Sequence, residues 1–206
     1  MAAQEALHQR LQALPQVETA VMVAQPPYSC GSSGVHIDGE EMSWLQIPAV
    51  DSTGFRLLGF KVIEQYSDPI DGTCWFTEEA QRRYGITAEN RTVGTNKYGE
   101  PQYECCGIIA DFRARDPLYK PMPDSHRAVQ NRTNVCFTHL LKVRGDRAEA
   151  LNAVRKVWCD VAKEYIGVPR ETGIHYLDDI LADSLTGTRN TMKLVMTFMV
   201  LAILIS

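Results

Sequence analysis

Residues 134–167 read NVCFTHLLKVRGDRAEALNAVRKVWCDVAKEYIG, and the period of their apolar positions changes once along the way. Up to Val143 it is two: Val135, Phe137, His139, Leu141 and Val143 share one face, and Asn134, Cys136, Thr138, Leu140 and Lys142 the other. That alternation predicts a strand with one face on a core. His139, on the apolar face, reads as a core histidine rather than a ligand. Beyond Gly145 the spacing becomes three and four, so Leu151, Val154, Trp158, Val161 and Tyr165 form one stripe of a helix. Asp146 and Glu149 make a capping-box pair at its start, and Gly167 with Pro169 supplies the stop. A half-buried strand feeding a capped amphipathic helix points to an α+β domain.

The chain upstream adds elements of the same two kinds. Leu7, Leu11 and Leu14 form the stripe of a short helix that ends before Pro15, and Val17, Thr19, Val21 and Val23 alternate as a strand. Pro26-Pro27 and the run from Cys30 to Gly34 read as an irregular loop. Residues 35–50 predict a hairpin turning at Asp38-Gly39. Asp51 or Ser52 can cap a helical turn through Leu58, ended by Gly59, with an extended piece over 61–65. Thr77 caps a second short helix whose Glu78 and Glu79 suit its positive end, closed at Tyr84-Gly85. A turn at 96–99 leads into a central strand over 102–112 with Cys106, Ile108, Ala110 and Phe112 on one face. Residues 113–133, with Pro117, Pro121 and Pro123, predict a long exposed excursion.

With 206 residues, 45% hydrophobic and 22% charged, the chain can build a real core. Its formal charge of −4 and scattered basic residues give no footprint for phosphate backbones, which excludes nucleic acid as a partner. Residues 1–14 lack a basic segment followed by an apolar run, so they are not a signal peptide, and the start reads as a fragment boundary. At the other end, residues 194–205 (LVMTFMVLAILI) are uncharged and apolar on every side. Crossing a bilayer takes about 20 such residues, so this run reads as the first part of a membrane helix, with lipid as the partner of residues 191–206. A buried C-terminal helix is the alternative, but it would need cover all round.

Chemistry is thinly encoded. No GxxxxGKS/T or GxGxxG loop is present, so any ATP hydrolysis belongs to another polypeptide or domain. Asp178-Asp179 and Glu78-Glu79 are adjacent pairs whose side chains diverge by about 100 degrees on a helix, which suits helix ends better than one shared substrate atom. None of His8, His36, His126, His139 and His175 stands three or four residues from another, so no helical metal clamp is written. The six cysteines, Cys30, Cys74, Cys105, Cys106, Cys136 and Cys159, contain no CxxC. Free buried thiols are the simpler state, disulfides stay open for a domain outside the cytoplasm, and no pairing is assigned. Cys105 and Cys106 would face opposite ways in a strand, against a vicinal disulfide. The expectation is a module with no catalytic, cofactor-binding or metal-binding residues.

Several stretches resemble the MacB/FtsX type of ABC-transporter permease. Ser52 to Phe60 (STGFRLLGF) resembles the family's "yF..lGf" element, and Thr77 to Gly85 its "NEaa…yG" helix, with Thr in place of Asn. Gly107 to Phe112 (GIIADF) resembles its "GVVkDF" strand, residues 134–161 its returning strand and helix, and 177–206 its stalk and second membrane helix. The resemblance implies a membrane-proximal α/β subdomain over 1–41 and 113–176, an inserted distal one over 42–112, and a stalk over 177–206. It implies a bacterial inner-membrane protein whose domain faces the periplasm and transmits motion for export or extraction. The implied partners are a cytoplasmic ABC ATPase, a second permease in a homodimer or heterodimer, and a periplasmic adaptor or substrate. Arg189 and Lys193, on the domain side of the apolar run, favour the opposite orientation, but long domains translocate regardless of such charges. An FtsX-like regulator of a cell-wall hydrolase and a soluble thiol-dependent enzyme are the alternatives.

Overall fold

The computed structural model describes residues 2–25, 32–37, 42–96, 98, 100–112, 125–132, 138–167, 173–180, 182, 186 and 190–192. Contacts divide the chain into two units, residues 1–115 with 121–171, and residues 116–120 with 172–206. The first is an α+β unit, as the sequence predicts. Its helices are α1 (Ala2–Gln12), α2 (Ser52–Leu57), α3 (Glu78–Tyr84) and α4 (Arg147–Ile166). Its strands are β1 (Val17–Val23), β2 (Ser32–Val35), β3 (Ser43–Gln46), β4 (Ala49–Val50), β5 (Val62–Gln65), β6 (Cys74–Thr77), β7 (Thr92–Thr95), β8 (Pro101–Ile109), β9 (Ser125–Asn131) and β10 (Thr138–Val143).

Among the described residues the strands join one mixed sheet in the order β10-β1-β4-β9-β6-β8-β5, with β3 on β9, β2 on β3 and β7 on β8. Two apolar clusters form on it. One gathers Val35, Leu45, Cys74, Phe76, Cys105, Ile108 and Ala128, and the other Val21, Val23, Val50, Trp75, Cys106, Ile109 and Val129. The neighbours β6, β8 and β9 feed both, because successive side chains on a strand point to opposite faces.

The predicted helix caps are present. Asp51 Oδ1 accepts from the amide of Gly54 at 2.6 Å, Thr77 Oγ1 from that of Ala80 at 3.3 Å, and Asp146 Oδ1 from that of Glu149 at 2.8 Å. Gly85 and Gly167 end α3 and α4 in the left-handed conformation, which a residue without Cβ adopts at no steric cost. α1 buries Leu7 and Leu11, and α4 buries Ala150, Val154, Val161 and Ala162. Arg10 of α1 pairs with Glu164 of α4 at 2.6 Å.

Three expectations need correction. Cys106 and Ile108, expected on one face of a strand over 102–112, lie in opposite clusters, because the register of β8 against β6 shifts between Cys105 and Gly107, and β8 ends at Ile109. Residues 125–131, read as part of an exposed excursion, form the interior strand β9, parallel to β3 and β4 and antiparallel to β6. Its composition hides it: Arg127, Gln130 and Asn131 look solvent-seeking, yet each has a partner here. Arg127 pairs with Glu79, Gln130 Nε2 donates to the carbonyl of Gly72, and Asn131 enters a buried network. Residues 32–34, read as loop, lie in β2, where Ser33 and Gly34 stand opposite Leu45 and Trp44 of β3. The predicted hairpin is therefore real, but its first strand ends at Val35. Its turn at Asp38-Gly39, Val135 and Phe137, and the apolar run 194–205 lie outside the described residues.

In the second unit, residues 177–180, 182, 186 and 190–192 are helical, and Thr186 Oγ1 donates to the carbonyl of Ala182 at 2.8 Å. Leu177, Ile180 and Met192 are exposed. Among the described residues no helix is long and apolar enough to cross a membrane.

Candidate functional site

The motif residues converge on one side of the sheet. Phe55 of α2 packs on Trp75 of β6 with ring centroids 5.3 Å apart and on Phe60 at 5.2 Å, and Phe60 meets Phe112 edge-on at 4.9 Å. Gly59, at φ 71°, lets the chain reverse between Phe55 and Phe60. Gly107 is required for space: a Cβ there would lie 2.4 Å from the carbonyl oxygen of Glu64 and 2.6 Å from Cζ3 of Trp75. Asp111 accepts from the amide of Glu79. The STGFRLLGF and GIIADF stretches thus pack α2 on β6, bring β8 close against β5, and tie the end of β8 to the start of α3.

Behind the aromatics lies a buried polar knot. Trp75 Nε1 donates to Asn131 Oδ1 at 3.2 Å, and Asn131 Nδ2 donates to Thr73 Oγ1 at 3.0 Å and to Cys106 Sγ at 3.4 Å. Low dielectric strengthens such a network once every member is satisfied. Cys105 and Cys106 fall in opposite clusters, as the alternation predicts, so they do not form a vicinal bridge. Among the described residues Cys74, Cys105, Cys106 and Cys159 are free thiols. Burial pushes Cys105 up to about 11, and burial likewise raises Cys74 and Cys106. A thiol that resists ionisation is a poor nucleophile and a poor metal ligand. Cys30 and Cys136 lie outside the described residues.

The remaining residues singled out from the sequence are dispersed. Glu78 and Glu79 open α3, with Glu79 held by Arg127; Asp178 and Asp179 are exposed in the second unit. His36 is exposed at a bridge to Thr95, His175 is exposed in the second unit, and buried His126 meets Tyr84 edge-on at 5.1 Å. His8 and His139 come together across α1 and β10, an encounter no spacing rule could show. Among the described residues no three histidine, cysteine or acidic side chains gather as metal ligands. An open groove of about 480 Å³ runs along Asp71, Thr73, Glu89, Arg91, Gln102 and Glu104. Arg91 and Glu104 pair along it at 3.7 Å.

An arrangement in which motif residues pack and cap suggests a role for the fold itself, and solved structures share that fold. The chain matches the periplasmic region of MacB from Actinobacillus actinomycetemcomitans at a TM-score of 0.50 and 11% identity, over 80% of this chain and 75% of that one. The fold is that of a MacB-type periplasmic domain. The extracellular domain of the noncanonic ABC-type transporter YknZ from Gram-positive bacteria matches at 0.53 and 12% identity, over 80% and 84%. A domain assigned to a permease protein of Porphyromonas gingivalis matches at 0.52 and 12%, over 85% and 84%. No family model matches the chain, and no curated protein sequence does. At this identity the MacB-type likeness is one of fold.

Proposed function

We propose that this chain is the extracytoplasmic domain of an ABC-transporter permease, a non-catalytic module that transmits motion between a cytoplasmic ATPase and a substrate being exported or extracted. One observation carries the reading: the first unit has the fold of three transporter domains, and the residues behind the sequence resemblance, Phe55, Phe60, Gly107, Asp111 and Phe112, are the ones that hold that fold together. On this reading residues 1–41 and 113–176 stand near the membrane, 42–112 form the distal part, and 177–206 lead through a stalk into lipid of the bacterial inner membrane. The partners are an ABC ATPase, a second permease, and a periplasmic adaptor or substrate.

A soluble thiol enzyme needs an accessible thiol of lowered pKa, and burial of Cys74, Cys105 and Cys106 works in the opposite direction. The test is purification from native membranes of the full-length polypeptide that contains this chain, tagged in the exposed turn at Tyr98. Co-purification of a separate P-loop ATPase is the expected result. Recovery in the detergent-free soluble fraction with no ATPase contradicts the proposal.

A further inference from the structure

His139 stands opposite Met22 of β1, and its neighbour Leu140 packs into the cluster on the other sheet face, so the imidazole points to the side that carries α1. Gln4 and His8 lie one turn apart on α1 and share a helix face. Both meet His139, the first through a backbone hydrogen bond and the second by ring stacking at 5.8 Å and 28°. Nδ1 of His8 is buried with no hydrogen-bond partner among the described residues.

Among the described residues, the charged groups of the neighbouring elements are exposed or pair with one another. On α1, Glu5 is exposed and Arg10 pairs with Glu164; on β1 and β10, Glu18 pairs with Lys142 at 2.7 Å. On α4 the buried positions are Ala150, Val154, Val161 and Ala162, while Arg155, Lys156, Asp160 and Lys163 are exposed. His8 acts on His139 as a repelling neighbour.

We propose that His139, stacked on His8, is an acid-released latch, which pins α1 to the sheet while the His139 ring is neutral and frees it when that ring takes up a proton. A proton on His139 would place charge in a half-buried contact against a second imidazole. Burial first, and His8 second, pull His139 down to about 4 from the ordinary 6.5. The docked helix therefore binds protons less readily than the released one. Docking is at full strength above pH 6.5, weakens as pH falls through that value, and has lost the whole contribution below about 4. Linkage between these two values weakens docking about 30-fold at about pH 5. The latch is distinct from the transport reading and stands or falls by itself.

Hydrogen exchange on the full 206-residue chain tests it, with protection factors corrected for intrinsic rates. Between about pH 7 and pH 5 the amides of α1 are expected to lose about 20-fold in protection while those of β8 keep theirs. In His139→Phe, which keeps a ring and removes the titration, most of that pH response should vanish. NMR titration of the wild-type imidazoles covers the case in which the variant fails to fold, with a midpoint for His139 near 4 as the expected result. A midpoint near 6.5, unchanged α1 protection, or a full response in His139→Phe overturns the latch.

Discussion

Oδ1 of Asp111 accepts a hydrogen bond from the backbone amide of Glu79 at 3.2 Å, so the acid of the GIIADF stretch closes the first turn of α3. With Thr77 already accepting from Ala80, two of the orphan amides at that helix start are satisfied from two different strand ends. Asp111→Ala should cost about 1 kcal/mol, the net worth of one such bond, and should raise exchange in α3 ahead of the rest of the domain. Urea denaturation and site-resolved exchange measure this; a variant as stable as the parent would mean the contact contributes nothing.

Gly107→Ala should be the costlier change in the same stretch. Its Cβ would overlap Glu64 O and Trp75 Cζ3, both under 3 Å away, and neither a paired strand backbone nor a buried ring moves freely. Overpacking of this kind costs about 1–3 kcal/mol. The urea midpoint should fall and the Trp75 indole resonance should shift together. An unchanged midpoint would show that β5 can slide away from β8 without loss.

Asn131→Leu removes the acceptor of Trp75 Nε1 and the donor to Thr73 while keeping volume in a buried site. Leaving the indole N–H unsatisfied costs about 1–3 kcal/mol, and its exchange with solvent should quicken. Full stability in this variant would mean that water enters and replaces the amide.

Native Cys74, Cys105 and Cys106 should resist a thiol reagent at mildly alkaline pH and react once urea unfolds the domain. All three are buried, and burial raises each above the free-thiol value. Mass-resolved labelling gives the answer site by site. Labelling of any of the three in the folded domain at the rate of a free thiol would restore the thiol-enzyme reading.

What could be seen in the sequence was whatever a few neighbouring residues decide. The caps at Asp51, Thr77 and Asp146 are side chains bonding amides three residues on, so their signal is local, and all three are observed. The alternation of β1 and the apolar run of β8 were legible for the same reason. β9 was not, since Ser-His-Arg-Ala-Val-Gln-Asn becomes a strand because β4 and β6 flank it, Glu79 pairs with Arg127 and Trp75 donates to Asn131. β6, four buried residues before a helix cap, is too short to declare a period. The meeting of His8 with His139, and of Phe55 and Phe60 with Phe112, depends on chain segments far apart in sequence, and spacing rules do not reach that far.

Topology in the native gene tests the central claim most directly. A reporter that is active only outside the cytoplasm, inserted in the exposed turn at Tyr98, should be active, and a fluorescent protein that matures only inside should stay dark at the same position. The reverse pattern, fluorescence with no extracytoplasmic activity, would place this MacB-type fold on the wrong side of the membrane for the proposed role.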